Sequence, residues 1–342
     1  MGEILGVGCS HGPGLTGPLE RLTDIYLRHN LASDLTPVHM KDPANWPAQM
    51  REEWSDDEGM ATAQRYRDTL VEGYRSAREA IDAFKPDFVV IFGDDQYEAF
   101  HEDILPPFCV FAMDEDIPST RGGPPISIKG HLDAGNHLAG ELIRSGFDVG
   151  SSWKLPHGSE YGHAFTTTVR YLDMDNVGFP YPVVPISVNC YGNYMRIPGP
   201  GQERAVGRLQ ENMPVTPPPS PPPWRCYDLG QEVGRIISES PWRAVVIGSS
   251  SWSHASLTPK NYFLWPDVDT DRKRMAELGE GRQGDWRDLT AEELIDAGQH
   301  EMLNWICLAG AMNGRKADIL AYAEAYIFNS SKCVALFPPP AS

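Results

Sequence analysis

The stretch that decides the fold is Phe88-Val89-Val90-Ile91-Phe92-Gly93-Asp94-Asp95-Gln96-Tyr97-Glu98, an apolar run followed by polar residues. Five consecutive β-branched and aromatic residues predict a buried strand. Two further segments repeat the pattern: residues 4–7 lead to Ser10-His11-Gly12, and residues 245–247 lead to Gly248-Ser249-Ser250-Ser251-Trp252-Ser253-His254. Because α/β proteins place their chemistry in loops after the carboxyl ends of strands, we expect these three loops to form one site.

The segments between these strands predict helices. Residues 61–84 carry apolar side chains every three or four positions, which indicates an amphipathic helix that ends before Pro86. Further helices are predicted over 131–145, 231–238 and 291–309, the last opened by a capping box of Thr290 and Glu293. Residues 183–188 predict a strand in which Pro185 favours an edge or bulge position. The alternation of helices and strands predicts an α/β fold.

One segment, residues 198–223, differs from the rest of the chain in composition. It ends in Pro217-Pro218-Pro219-Ser220-Pro221-Pro222-Pro223, which favours extended polyproline II. A surface crossover between elements is one interpretation of this segment. Recognition by a proline-binding module is the other.

The bulk composition excludes several classes of partner. A net charge of −18 argues against nucleic acid and anionic membranes. No apolar run approaches the roughly 20 residues of a membrane span, and Met1-Gly2-Glu3 does not begin a signal-peptide pattern. The six cysteines are scattered, with no Cys-x-x-Cys pair. We therefore expect a cytoplasmic protein with reduced cysteines and neither nucleic acid nor membrane as a partner.

Histidines stand in loops where they could handle metals or protons. His11 lies beside small residues that leave room for a ligand, and His254 follows a serine-rich turn; each could equally be a structural histidine. His157 and His163 lie six residues apart, a spacing that does not match a helical zinc motif. No phosphate-binding glycine motif and no Gly-x-Ser-x-Gly elbow is present. Two imidazoles and one carboxylate on a single face would suit non-haem Fe(II).

Taken in order, these segments resemble the class III extradiol dioxygenases of the protocatechuate 4,5-dioxygenase beta-subunit type, over most of the chain. Ser10-His11 resembles the segment with the family's first metal histidine, and residues 93–100 resemble its Asn-Asp-His-x-x-x-Phe motif. Gly162-His163 resembles its active-site histidine segment. Residues 248–254 resemble the Gly-Gly-x-Ser-His motif, and residues 298–312 resemble its C-terminal helix.

The resemblance implies a single large α/β domain over residues 1–342, with a central mixed sheet flanked by helices and the site at the strand ends. It implies ring cleavage of a catechol-like substrate with O₂ and Fe(II), or another divalent metal. His254 would act as the acid/base and His163 would hydrogen-bond the substrate or the oxygen species. His11, Gln96 and Asp267 would hold the metal.

Two positions depart from the family pattern. Gln96 stands where the family has its second metal histidine, and Asp267, with Asp269 as an alternative, stands for the metal glutamate. Replacement ligands could come from Glu98, His101, His39 or His157. The alternative function is a homologue with an altered metal site, either a non-catalytic partner subunit or a catalyst of a different metal-dependent reaction. The expected assembly is a homo-oligomer or a complex with a small partner subunit.

Overall fold

The computed structural model describes residues 2–12, 14–23, 27–33, 36–101, 103–121, 123–157, 160–192 and 218–340. Its strands are β1 (Glu3–Cys9), β2 (Phe88–Asp94), β3 (Phe108–Phe111), β4 (Asp116–Ser119), β5 (Ile126–Lys129), β6 (Gly150–Ser152), β7 (Val183–Val188), β8 (Arg243–Ser249), β9 (Asp318–Ala323) and β10 (Lys332–Phe337). Its α-helices are α1 (Glu20–Thr23), α2 (His29–Ala32), α3 (Ala48–Trp54), α4 (Met60–Phe84), α5 (Leu132–Arg144), α6 (His163–Tyr171), α7 (Pro223–Glu239), α8 (Val268–Glu280), α9 (Ala291–Asp296) and α10 (Met302–Met312). Residues 198–217 of the proline-rich segment lie outside the described residues.

Eight strands form one mixed sheet in the order β6-β3-β7-β2-β8-β1-β10-β9. The central strands β7, β2, β8 and β1 run parallel, whereas β3 is antiparallel to β7 and β10 is antiparallel to β1. The central strands are buried along nearly their whole length, as expected for strands covered on both faces. The predicted α/β fold with a central mixed sheet flanked by helices is confirmed.

Alternate side chains of each strand enter two separate cores. Val90 and Phe92 of β2 pack on one face with α5, α7 and α10. Val89 and Ile91 pack on the other face with α4 and α6. The helix predicted over 61–84 is α4, and its buried positions recur every three or four residues.

Pro185 does not mark an edge strand. β7 lies inside the sheet, between β3 and β2, and Pro185 pairs in register with Ile91. The pairing of β3 with β7 stops at Ile186, so the ladder on that side does not require an N–H from Pro185. The edge prediction was therefore wrong, because it did not anticipate how short β3 is.

The long helix predicted over 291–309 is two helices. The capping box of Thr290 and Glu293 opens α9, as predicted. The chain then leaves the helical path at Gly298, which has a φ of 66°. A side chain there would press on Thr258 and on the backbone of His254, so glycine suits this position for both its conformation and its size. The break separates α10 from α9 and turns residues 299–301 toward the sheet.

α10 is held against α7 by direct backbone contact. A Cβ on Gly230 would collide with the carbonyl of Cys307, and one on Gly310 would collide with the carbonyl of Tyr227. All residues of α10 are buried, as expected for a helix with apolar side chains on nearly every side. In the parts of the chain that the structure describes, no helix has the length and apolarity to cross a membrane.

Candidate metal and acid/base site

The carboxyl ends of β1, β2 and β8 meet at one edge of the sheet. His11 follows β1, Asp94 ends β2, and Ser249 ends β8. The Nε2 of His11 lies 3.5 Å from Asp94 Oδ1, and its Nδ1 lies 2.9 Å from Ser249 Oγ. The structure thus brings together three loops that span residues 11 to 249 of the sequence.

His11 is a buried, neutral imidazole of defined tautomer. Ser249 Oγ donates to the carbonyl of Ala164, so it accepts from the Nδ1–H of His11. The lone pair therefore lies on Nε2, which faces Asp94 and lies 3.6 Å from Glu301 Oε2. Burial lowers the pKa of His11 well below 6.5. A neutral imidazole with a free Nε2 is the form that binds metal.

His254 directs its Nε2 at Glu301 Oε2, as His11 does. Its Nδ1 donates to the carbonyl of Trp252 at 3.1 Å, and its Nε2 lies 3.5 Å from Glu301 Oε2. Its backbone N–H donates to Gly298, at the break before α10. Burial lowers the pKa of His254 to about 4, so the ring is neutral and able to accept a proton.

His163 begins α6 and lies against His11, with ring centroids 4.9 Å apart. The Glu98 carboxylate accepts from both its backbone N–H, at 2.9 Å, and its Nδ1, at 2.8 Å. Burial opposes a charged ring, but the Glu98 carboxylate outweighs it and raises the pKa of His163 to about 10. One ligand atom from each of His11, Asp94 and His163 lies within 4.8 Å of the other two.

Two carboxylates and one amide complete the cluster. Glu301 Oε2 is buried and has no hydrogen-bond partner among the described residues, whereas Oε1 accepts from Tyr191 and Gln96. Burial raises the pKa of Glu301, and burial together with the Glu301 charge raises that of Asp94 well above its ordinary value. Two such carboxylates side by side favour a cation between them.

The structure does not place Asp267 with these groups. Asp267 caps α8: its carboxylate accepts from the backbone and hydroxyl of Thr270 and pairs with Lys260 Nζ at 2.6 Å. The nearby Asp269 is an exposed residue paired with Arg272. Glu301, and not Asp267, is the carboxylate that faces His11 and His254.

The other alternative ligands fall into two groups. Glu98 reaches the site through His163. His101 and His157 stack on each other at 4.3 Å, with His157 bonded to Asp103, and His39 lies against Tyr262. In the described part of the chain, none of these three histidines joins the cluster around His11.

Sequence reasoning missed Asp94 and Glu301 as site residues. Asp94 is the last residue of a strand that is otherwise apolar, and Glu301 immediately precedes the apolar run of α10. An acidic residue next to a fully buried run requires a partner or a cation, and that was the available signal.

Comparison with known proteins shows what the chain is similar to. Residues 212–332 match the family model described as the catalytic LigB subunit of aromatic ring-opening dioxygenase. The chain is similar to 2,3-dihydroxyphenylpropionate/2,3-dihydroxicinnamic acid 1,2-dioxygenases. It is 27% identical to the Pseudomonas putida protein, over 66% of this chain and 59% of that one. These matches are to proteins named as aromatic ring-opening dioxygenases, which is the family that the sequence motifs resemble.

Two other relatives give similar values. The Comamonas testosteroni protein of the same name is 28% identical over 54% of this chain and 48% of its own length. The Rhodococcus jostii protein is 27% identical over 69% and 64%. The chain thus spans about half to two thirds of the relatives it matches. None of these three is named a protocatechuate 4,5-dioxygenase, so that subunit type stays a prediction.

A solved structure, an uncharacterized protein of Escherichia coli K12, aligns with 78% of this chain and 92% of its own. Its sequence identity is 13% and its TM-score 0.47, too low to carry any detail of the site.

Proposed function

We propose that this protein is a non-haem Fe(II)-dependent dioxygenase that cleaves the ring of a catechol-like substrate with O₂. One observation carries the proposal. Two neutral imidazoles, His11 and His254, direct their Nε2 atoms at Glu301 Oε2, a buried oxygen without a hydrogen-bond partner among the described residues. Such an arrangement suits a divalent cation together with an adjacent proton acceptor.

The donor set fits Fe(II). Imidazole nitrogen and carboxylate oxygen are the ligands of non-haem iron sites that leave positions open for substrate and O₂. His11, Asp94, Glu301 and His163 would line the position of the ion. The cation would let both buried carboxylates ionise without the repulsion that raises their pKa values. When bound, Fe(II) would supply the redox chemistry that joins O₂ to the aromatic ring.

His254 would move the proton. Its Nδ1 is held by the Trp252 carbonyl, so Nε2 is free to take a proton from a substrate hydroxyl and later return it. His163 offers its remaining nitrogen to the same space, either as a donor to substrate or oxygen or as a metal ligand. The site is largely sealed from solvent: His11 and Glu301 are 2% and 1% exposed. That burial would exclude water from reactive oxygen species.

A second candidate is a homologue with an altered metal site, either a partner subunit or the catalyst of another metal-dependent reaction. The observation in its favour is Gln96, which stands at the position of a family ligand and bonds the carboxylates through its amide nitrogen.

The dioxygenase proposal also includes a cytoplasmic location, supported by six buried free cysteines, and assembly as a homo-oligomer or with a small subunit.

The deciding experiment is metal analysis of protein purified without oxygen, followed by O₂ uptake on a panel of catechols. We expect about one Fe(II) per chain and O₂ consumption with a yellow ring-opened product. No transition metal and no O₂ uptake across the panel would refute the proposal. Metal without uptake would favour the second candidate.

A further inference from the structure

Gln96 is engaged in a way that a metal ligand would not be. Its Nε2 lies 2.9 Å from Tyr191 Oη, 3.1 Å from Glu301 Oε1 and 3.3 Å from Asp94 Oδ2. The NH₂ group therefore faces both carboxylates, which is the orientation that suits them once a bound metal has ionised them, because ionised carboxylates accept hydrogen bonds and donate none. A metal would bind the carbonyl oxygen instead. Rotating the amide to present that oxygen would break these bonds and set it against two carboxylates.

His163 has the features of a ligated histidine. Metal-bound histidines commonly donate their second ring nitrogen to a carboxylate, which fixes the ring and increases its basicity. Glu98 provides that carboxylate at 2.8 Å, and its second bond, to the backbone of His163, fixes the approach. Gly162 permits this approach, because a Cβ there would lie 2.8 Å from Glu98 Oε2. One ring nitrogen of His163 lies within 4.8 Å of a ligand atom of His11 and of Asp94.

We propose that His11, His163 and Asp94 are the metal ligands of this protein, and that Gln96 is a non-ligand that ties Asp94 to Glu301. Glu98 is the positioning residue for His163. Glu301 is not part of this three-residue set; its Oε2 lies 3.6 Å from His11 Nε2 and 3.5 Å from His254 Nε2. This inference rests on the proposed function only in assuming that a divalent metal binds here.

The chemistry of the set supports the assignment. Two imidazoles and one carboxylate recover the donor types of a facial triad, although one ligand comes from the start of α6 instead of the loop after β2. A proton on His163 would occupy the nitrogen that the metal needs, so metal binding displaces it. His11 has its own orienting partner, Ser249, so both imidazoles are held through Nδ1.

The test uses the full chain, stripped of metal and titrated anaerobically with Mn(II), whose free concentration is read by EPR. Glu98→Gln should weaken binding about 10–100-fold, and His163→Ala should weaken it more. Gln96→Ala should weaken binding less than His163→Ala does, because it removes a hydrogen-bond donor to Asp94 and not a ligand. His157→Ala, which removes a carboxylate-paired histidine outside the cluster, is the matched control and should bind as wild type does.

A second readout is recorded first on the wild type, so its main result does not depend on the folding of a variant. In the Co(II)-loaded wild type, the Nδ1–H protons of ligated histidines give paramagnetically shifted, exchangeable NMR signals. We expect one signal from His11 and one from His163, the latter absent in His163→Ala. Circular dichroism checks that each variant keeps its fold.

Two outcomes separate this inference from the proposed function. Loss of metal in Gln96→Ala, with binding retained in His163→Ala, would make Gln96 the ligand and overturn the inference while the dioxygenase proposal stands. Metal bound as described, without O₂ uptake on any catechol, would sustain the inference and refute the dioxygenase proposal.

Discussion

Lys332 is a buried amine whose removal should stabilise the metal-free protein. It begins β10 and is 4% exposed, and its Nζ donates to the hydroxyls of Ser251 and Ser330. Among the described residues no carboxylate lies within ion-pair distance of it. Burial lowers the pKa of Lys332 from 10.5 to about 7, with Glu301 acting in the opposite direction. A pKa shift of one unit corresponds to about 1.4 kcal/mol, so the shift of Lys332 means that burying its charged amine costs about 5 kcal/mol at pH 6.

Lys332→Met keeps the length of the side chain and removes the charge. Leaving two hydroxyls without their partner costs about 1–2 kcal/mol, so we expect a net gain of about 3 kcal/mol at pH 6. The direction of the pH dependence follows from the linkage between protonation and folding. Because the folded pKa is depressed, the unfolded chain binds more protons between pH 7 and 10.5, and wild-type stability rises over that range. The advantage of the variant should therefore disappear near pH 10.

The assay is urea unfolding of both proteins, free of metal, at pH 6, 8 and 10. Lys154→Met, which changes an exposed lysine, is the control and should shift stability by less than about 0.5 kcal/mol at each pH. A variant less stable than wild type at pH 6, or a difference that does not change with pH, would refute the account of Lys332 as a charge buried without compensation.

Three further predictions concern His254, Glu301 and Glu53. His254→Ala should lower turnover about 10²–10⁴-fold while metal content is retained, measured by O₂ uptake and metal analysis; loss of metal would mean that His254 is a ligand. Glu301→Gln should raise the melting temperature of the metal-free protein, because a buried charge is removed, and should reduce the further rise caused by added Mn(II); an unchanged response to Mn(II) would place Glu301 outside the site. Glu53 accepts from the backbone of Tyr326 and Ile327, and burial raises its pKa to about 7. Its stabilising contribution is present below pH 4.5 and lost as pH rises through 7, so Glu53→Gln should gain about 1–2 kcal/mol at pH 8 and nothing at pH 4, by urea unfolding; an equal gain at both pH values would contradict this assignment.

The sheet could be predicted because its signal is local. An uninterrupted apolar run such as residues 88–92 marks a strand buried on both faces, and apolar spacing in α4 marks a helix buried on one. The expectation that polar loops meet at the strand ends follows from the parallel arrangement. His11 and His254 could therefore be selected from the sequence, and the structure places both beside Glu301.

The carboxylates could not be predicted in this way, because long-range contacts decide their positions. Glu301 enters the site only where the chain breaks at Gly298, and that break is shaped by the His254 loop packed against it. Periodicity over residues 291–309 shows no interruption, so it predicts one helix. Asp267 was selected because the resemblance aligns it with the family's metal glutamate, although an Asp three residues before Thr270 at the start of a helix is an ordinary N-cap.

The loop after β2 explains how a family ligand could be exchanged without loss of the site. Asp95 accepts from the backbone of Ala99 and Phe100, and this turn fixes the residues between them. The same turn presents Gln96 to the two carboxylates and Glu98 to His163. A histidine at position 96 could bind metal through one nitrogen but could not donate to both carboxylates from one atom, as the amide does. In the proposed ligand set, Gln96 would supply no nitrogen ligand, and Glu98, two residues later, would orient His163 as the second imidazole. Glu98→Gln should therefore weaken metal binding more than Gln96→Ala does.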